Sequence, residues 1–320
     1  MKFVKNILAV AVCVCLNFAT GYCQNKPVIS AITDTASRPA VFAPGIVSTP
    51  YEEWSVSFTP DGNTVYFSEG TIYMAVCYSK KINGEWTKPK VASFSEKWSS
   101  WDPFVSPDGK KMFYVSNQPL PDAPQNTPSR KSHLWYADNL GGDKWSAAKP
   151  VNEPFNLDGI NDYAPTVSKN GTLYFCSIGR GGIKGWSSYS AKWLGDHFDK
   201  PQLIVVPGTD EIQDPFIAPD ESYLAFINNN EIYISFRDGN GWGTAQKLSA
   251  QVNDGNGISG PYISADGKTL YYSSARVRGF FKPNPDNSAL DYDKLQTRMQ
   301  SIFNGRPNIL MIPVDLARKS

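Results

Sequence analysis

Five times along the chain, two short runs of β-branched and aromatic residues flank a polar turn: residues 57–68, 104–115, 166–175, 216–226 and 262–272. Asp61-Gly62, Asp108-Gly109, Asn170-Gly171 and Asp266-Gly267 supply the positive-φ positions that a tight turn needs, and Asp220-Glu221 stands at the remaining copy. Each copy therefore predicts a hairpin. A third apolar run follows at residues 71–76, 132–137, 186–190, 231–235 and 308–312. A fourth begins near Trp86, Trp145, Phe198 and Trp242 and runs into a Lys/Gln-x-Val/Leu stretch. Four strands repeating every ~45–60 residues predict propeller blades.

After the last third strand no fourth is recognisable, whereas residues 38–47 resemble the fourth-strand stretches and precede the first blade. An N-terminal strand that completes the last blade removes a free sheet edge. The expected fold is thus all-β: a five-bladed β-propeller of four-stranded antiparallel blades closed by an N-terminal strand, with six blades as the alternative. Ahead of it, two lysines and the apolar run 7–18 predict a cleaved secretory signal over residues 1–23. Residues 24–37 are expected to be a flexible segment and 38–320 a single propeller domain. A tyrosine directly before Cys23 disfavours the lipoprotein pattern, so the expected location is periplasmic or secreted. No transmembrane span is expected in the mature chain, and a monomer is expected.

The turn cores, clearest at Ser106-Pro107-Asp108-Gly109-Lys110 and at residues 266–273, resemble the WD40-like (PD40) repeats of the TolB type. That resemblance covers nearly everything after Arg38 and implies an exported bacterial propeller. It is specific for a hairpin and carries little about function.

Charge changes the picture mainly by exclusion. A formal charge of +1 with interspersed signs leaves no basic field for nucleic acid. His133 and His197 are the only histidines in the sequence, too few for a multi-imidazole metal or catalytic site. Cys77 and Cys176 fall in different repeats and are expected to be buried thiols without a disulfide.

In a four-stranded blade, the loop entering the innermost strand and the loop between the second and third strands share one face, the channel mouth. Aligning the starts of the innermost strands places Glu53, Asp102, Asp162 and Asp214 around that mouth, with Trp54, Trp101 and Tyr163 beside them and Gly260 breaking the ring. Two readings stand. A repeated Asp can accept hydrogen bonds from the neighbouring blade and set its packing. Alternatively, an acidic, aromatic rim can hold Ca²⁺ or stack a sugar ring.

Three features open on the same face. Residues 117–130 read as a loop, and a last-blade insertion at about 280–305 contains an expected helix over 288–303 capped by Asn287 or Asp291. The Gly-rich stretch 179–185 joins strands rather than a strand and a helix, which excludes a dinucleotide loop. It presents Arg180, which with Arg276 and Arg278 can meet an anionic group of a ligand. No other cofactor is expected. The leading expectation is a non-catalytic propeller that binds a protein partner or an envelope glycan at the mouth. The alternative is a glycosidase-like enzyme using the mouth carboxylates, a reading that needs a raised-pKa acid and a partner ~5–9.5 Å away.

Overall fold

The computed structural model describes residues 38–151, 153–253, 256–275 and 288–316. Residues 1–37, with the expected signal, and Arg276 and Arg278 lie outside the described residues. The described chain forms five antiparallel sheets, and their innermost strands touch in cyclic order, so the sheets stand as the five blades of a propeller.

Blade 1 runs Glu53–Phe58, Thr64–Glu69, Ala75–Ile82 and Lys90–Val91, and blade 2 Ser100–Val105, Lys111–Ser116, His133–Asp138 and Lys149–Pro150. Blade 3 is Asn161–Val167, Leu173–Ile178, Trp186–Ala191 and Gln202–Leu203; blade 4 is Gln213–Ile217, Tyr223–Asn228, Glu231–Asp238 and Gln246–Lys247. Blade 5 takes Asn256–Ile263, Thr269–Ala275 and Asn308–Pro313 from the end of the chain and Ala40–Val41 from its beginning. Ala40 pairs with Met311 and Val41 with Leu310, and Phe42 N donates to Ile309 O. Phe42 then packs edge-on to Phe58, Trp86 and Tyr271, which fastens the closing strand to blade 1 as well as to blade 5.

The hairpin turns are built from their own side chains. Asp108 Oδ1 accepts from the Ser106 hydroxyl and from Lys110 N, and the same arrangement holds Asp266 between Ser264 and Lys268. These bonds keep both carboxyls below the usual Asp range. At the fourth hairpin Glu221 adopts φ +58° where the other repeats have glycine.

Three sequence expectations shift. The third strand of blade 1 starts at Ala75 rather than residue 71, and Ile72 and Tyr73 stand exposed in the preceding loop. In blades 1 and 4 the indole near the expected fourth strand belongs instead to a hairpin extension, Glu85–Trp86 and Gly241–Trp242. The last-blade helix spans only Tyr292–Met299, capped by Asp291, whose side chain accepts from Lys294 N. None of its residues is fully buried.

Candidate functional site

Every innermost strand carries a bulge at the same place. Pairing with the second strand slips between Trp54 and Val56, Trp101 and Phe104, Tyr163 and Thr166, Gln213 and Phe216, and Ser259 and Tyr262. Within each slip one residue adopts positive φ: Ser55 (40°), Asp102 (51°), Ala164 (45°), Asp214 (45°) and Gly260 (56°). A bulge adds one residue to one strand and re-aims its side chains. These residues are therefore the true blade equivalents, and they form a ring at the mouth of the channel.

The ring is bonded from blade to blade. Ser55 Oγ donates to Asp102 Oδ1 at 2.7 Å, and Ala164 N donates to Asp102 Oδ2 at 3.0 Å. Gly260 N donates to Asp214 Oδ2 at 3.0 Å, and the Cys176 thiol lies 3.9 Å from Asp214 Oδ1. Ser55 N donates to Ser273 Oγ of blade 5, which completes the circuit. Both aspartates retain some solvent exposure, yet they sit in a confined place. Enclosure, and then the neighbouring Asp214, push the Asp102 carboxyl up to about 7. Enclosure raises Asp214 as well.

Beneath the ring the hollow along the axis measures about 30 Å³. It is closed by Phe104, Phe216 and Tyr262, with centroid separations of 6.4 Å for Phe104 to Phe216, 6.5 Å for Phe104 to Tyr262 and 5.1 Å for Phe216 to Tyr262. A space of that size holds a water molecule or two. It does not hold a sugar ring.

The structure separates the carboxylates that the sequence alignment placed together. Asp102 and Asp214 belong to the ring. Glu53 and Asp162 lie two residues upstream of it and are fully or almost fully buried, at 0% and 1% exposure. Glu53 accepts from Thr49 N and from the Thr49 hydroxyl, and burial pushes its carboxyl up to about 8 despite these bonds. Asp162 accepts from Ser177 Oγ (2.7 Å), Asn156 N (3.3 Å) and Arg180 Nη2 (2.7 Å). Arg180 is thus turned inward, at 7% exposure, with Phe175 and Tyr189 rings beside its guanidinium and Pro154 O accepting from Nη1. Trp54, Trp101 and Tyr163 each precede a ring residue and are half-buried; Tyr163 packs on Trp186 at 5.3 Å.

Ser55 and Ala164 were not recognised from the sequence as members of the ring that holds Asp102, Asp214 and Gly260. A signal was present: Pro103, Pro165, Pro215 and Pro261 directly follow four of the five ring residues. Among the described residues, no group of three or more His, Cys, Asp or Glu is arranged to hold a metal ion. Both described cysteines are buried free thiols.

No protein-family model and no curated relative matches the chain. Solved structures do. The chain is similar to an α-L-arabinofuranosidase from Lactobacillus brevis, at 12% identity and TM-score 0.52 over 84% of this chain and 92% of that one. It is similar to a thermostable family-43 glycoside hydrolase, at 14% identity and TM-score 0.51 over 87% of this chain and 96% of that one. TolB from Acinetobacter baumannii matches at 14% identity and TM-score 0.48 over 84% of this chain, which spans about half (55%) of the TolB chain. At these identities the likeness defines a class, the β-propellers, and carries no chemistry with it. No helix among the described residues is long and apolar enough to cross a membrane.

Proposed function

We propose that the chain is an exported, non-catalytic β-propeller that binds a protein partner on its channel-mouth face. One observation carries this reading: each ring aspartate is bonded by a backbone N–H of the next blade over a hollow too small for a substrate ring. Those carboxyls act as ties between blades, and recognition falls to the loops around them. The exposed apolar residues Tyr51 (62%), Ile72 (99%) and Tyr73 (60%) supply such a surface, and Gly70 N to Glu52 O ties their two loops together. Tyrosine is among the residue types that most often anchor protein interfaces.

The test is comparative capture from an envelope extract with the parent, Ile72→Asp and Tyr73→Ala. A defined partner retained by the parent and lost by both variants supports the reading. Equal capture by all three refutes it. Export rests on residues 1–23 and is tested by N-terminal sequencing of the envelope protein.

A second reading, a carbohydrate-active enzyme, is favoured by one feature: a carboxyl at Asp102 that titrates near neutrality beside a second, Asp214. Hydrolysis of aryl glycosides by the parent, abolished in Asp102→Asn, would establish it. Calcium at the mouth would take Asp102 and Asp214 as ligands. A calcium-dependent rise in Tm, absent in Asp214→Asn, tests that proposal.

A further inference from the structure

On the face opposite the mouth, blades 1 to 4 each insert an aromatic side chain from the hairpin extension at the end of the third strand. The register identifies the equivalent positions: Trp86 faces Lys81, Trp145 faces Asn139, Phe198 faces Trp193 and Trp242 faces Arg237. In blades 1, 2 and 4 the inserted group is an indole. Trp145 reaches blade 1, where its Nε1 donates to the Tyr66 hydroxyl at 3.2 Å. In blade 3 the inserted group is the smaller Phe198, and the blade 2 ring it approaches is Phe113, which lacks the hydroxyl found on Tyr66 and Tyr174. The indole of blade 3 sits instead on the facing strand. Trp193 is 41% exposed and stands edge-on to Phe198 at 4.9 Å.

Two substitutions in the repeat thus put smaller rings where the neighbouring blades place an indole and a phenol. A cleft of about 200 Å³ opens there, walled by Phe113, Tyr136, Val167, Trp193 and Phe198. Its walls are rigidly placed. Trp193 is seated so close to the Gly171 turn that a Cβ at Gly171 would meet Trp193 Cβ at 3.1 Å. Tyr136 is held under the ammonium groups of Lys111 and Lys149, both paired with Asp138.

We propose that this cleft between blades 2 and 3 binds a small, uncharged planar aromatic compound of indole size. An apolar cavity of about 150 Å³ is already enough to take up benzene. Here the shape complement is the ring system that the repeat itself supplies in the neighbouring grooves, and Trp193 offers an exposed ring to pack against it. The walls that would meet the ring are apolar, and the charged residues of the lining, Lys111, Lys169 and Asp108, are of both signs, so a net charge on the ligand is not the basis of selection. The site is separate from the channel mouth and does not depend on the function proposed for it.

Indole is the probe. It is titrated calorimetrically into the full chain, with melting curves recorded in parallel for the parent, Phe198→Trp and Phe113→Tyr. The expected result is saturable binding with a rise in Tm for the parent. Phe198→Trp, which fills the cleft, should melt higher without ligand and bind indole at least tenfold more weakly. Phe113→Tyr narrows the same wall by one hydroxyl and should weaken binding in the same direction, so the proposal stays testable if Phe198→Trp does not fold. Absence of saturable binding to the parent overturns the proposal. So does unchanged affinity in whichever of the two variants folds.

Discussion

The buried pair Asp162 and Arg180 distinguishes a residue that binds ligand from one that holds the fold. The Asp162 side chain is 1% exposed and that of Arg180 8%. A single carboxylate gathers the linker at Asn156, the second strand at Ser177 and the Gly-rich loop at Arg180. Asp162→Asn keeps the shape but leaves a buried guanidinium without its counter-charge, and Arg180→Met leaves the carboxylate in the same position. Breaking one side of a buried pair costs ~3–5 kcal/mol. For a domain of this size that corresponds to a fall in Tm of roughly 6–15 °C. Because each single variant strands the other charge, the double variant should be more stable than the sum of the two losses by ~2 kcal/mol or more. Urea unfolding of the four proteins, followed by far-UV circular dichroism, completes the double-mutant cycle. Single losses below ~1 kcal/mol, in the range of exposed pairs, would refute the reasoning and return Asp162 and Arg180 to the list of surface residues. Strict additivity would do the same.

Three further outcomes follow from the geometry. Glu53 titrates near 8 in the folded chain against 4.5 ordinarily, so the fold binds its proton more tightly than the unfolded chain. Stability should then fall as pH rises from about 5 to 9, and Glu53→Gln should flatten that slope in melting curves and raise Tm at pH 8; an unchanged slope would contradict the assignment. Gly260→Ala would place a Cβ 3.0 Å from Ser55 Cα at φ +56°, a backbone contact that cannot rotate away, so a loss of ~2–4 kcal/mol is expected in denaturant titration. Phe42→Ala empties a site between blades 5 and 1 and should cost ~3–5 kcal/mol; concentration-dependent aggregation on mild heating would show that the closing strand protects the blade 5 edge.

How much of this was legible in the residues follows from the range of each interaction. The hairpin turns are local: Asp108 bonds Ser106 and Lys110, two positions away on either side, so Pro-Asp-Gly patterns announce both the turn and the strands beside it. Blade number followed from counting those turns, and the closing strand from the unpaired edge that the count left over. The ring at the mouth is different. Ser55 meets Asp102 across 47 residues and Asp102 meets Ala164 across 62, and whether Asp162 or Ala164 occupies the ring depends on a bulge. The bulge sets which residue of each strand turns to its neighbour across the ring. Aligning the strand starts therefore set Glu53 and Asp162 in the ring, whereas they lie two residues short of it among buried side chains. The cleft between blades 2 and 3 was visible only in part, as a Phe where three repeats carry Trp. That a cleft lies beside it is a property of how two blades meet. The sequence by itself determined the repeat and its turns, because those rest on contacts within a few residues, and it announced the closure because the count of strands left one edge unpaired. Tertiary structure decided which side chains share the axis and which rings wall the groove between blades 2 and 3, because both depend on the packing of blades far apart in the chain.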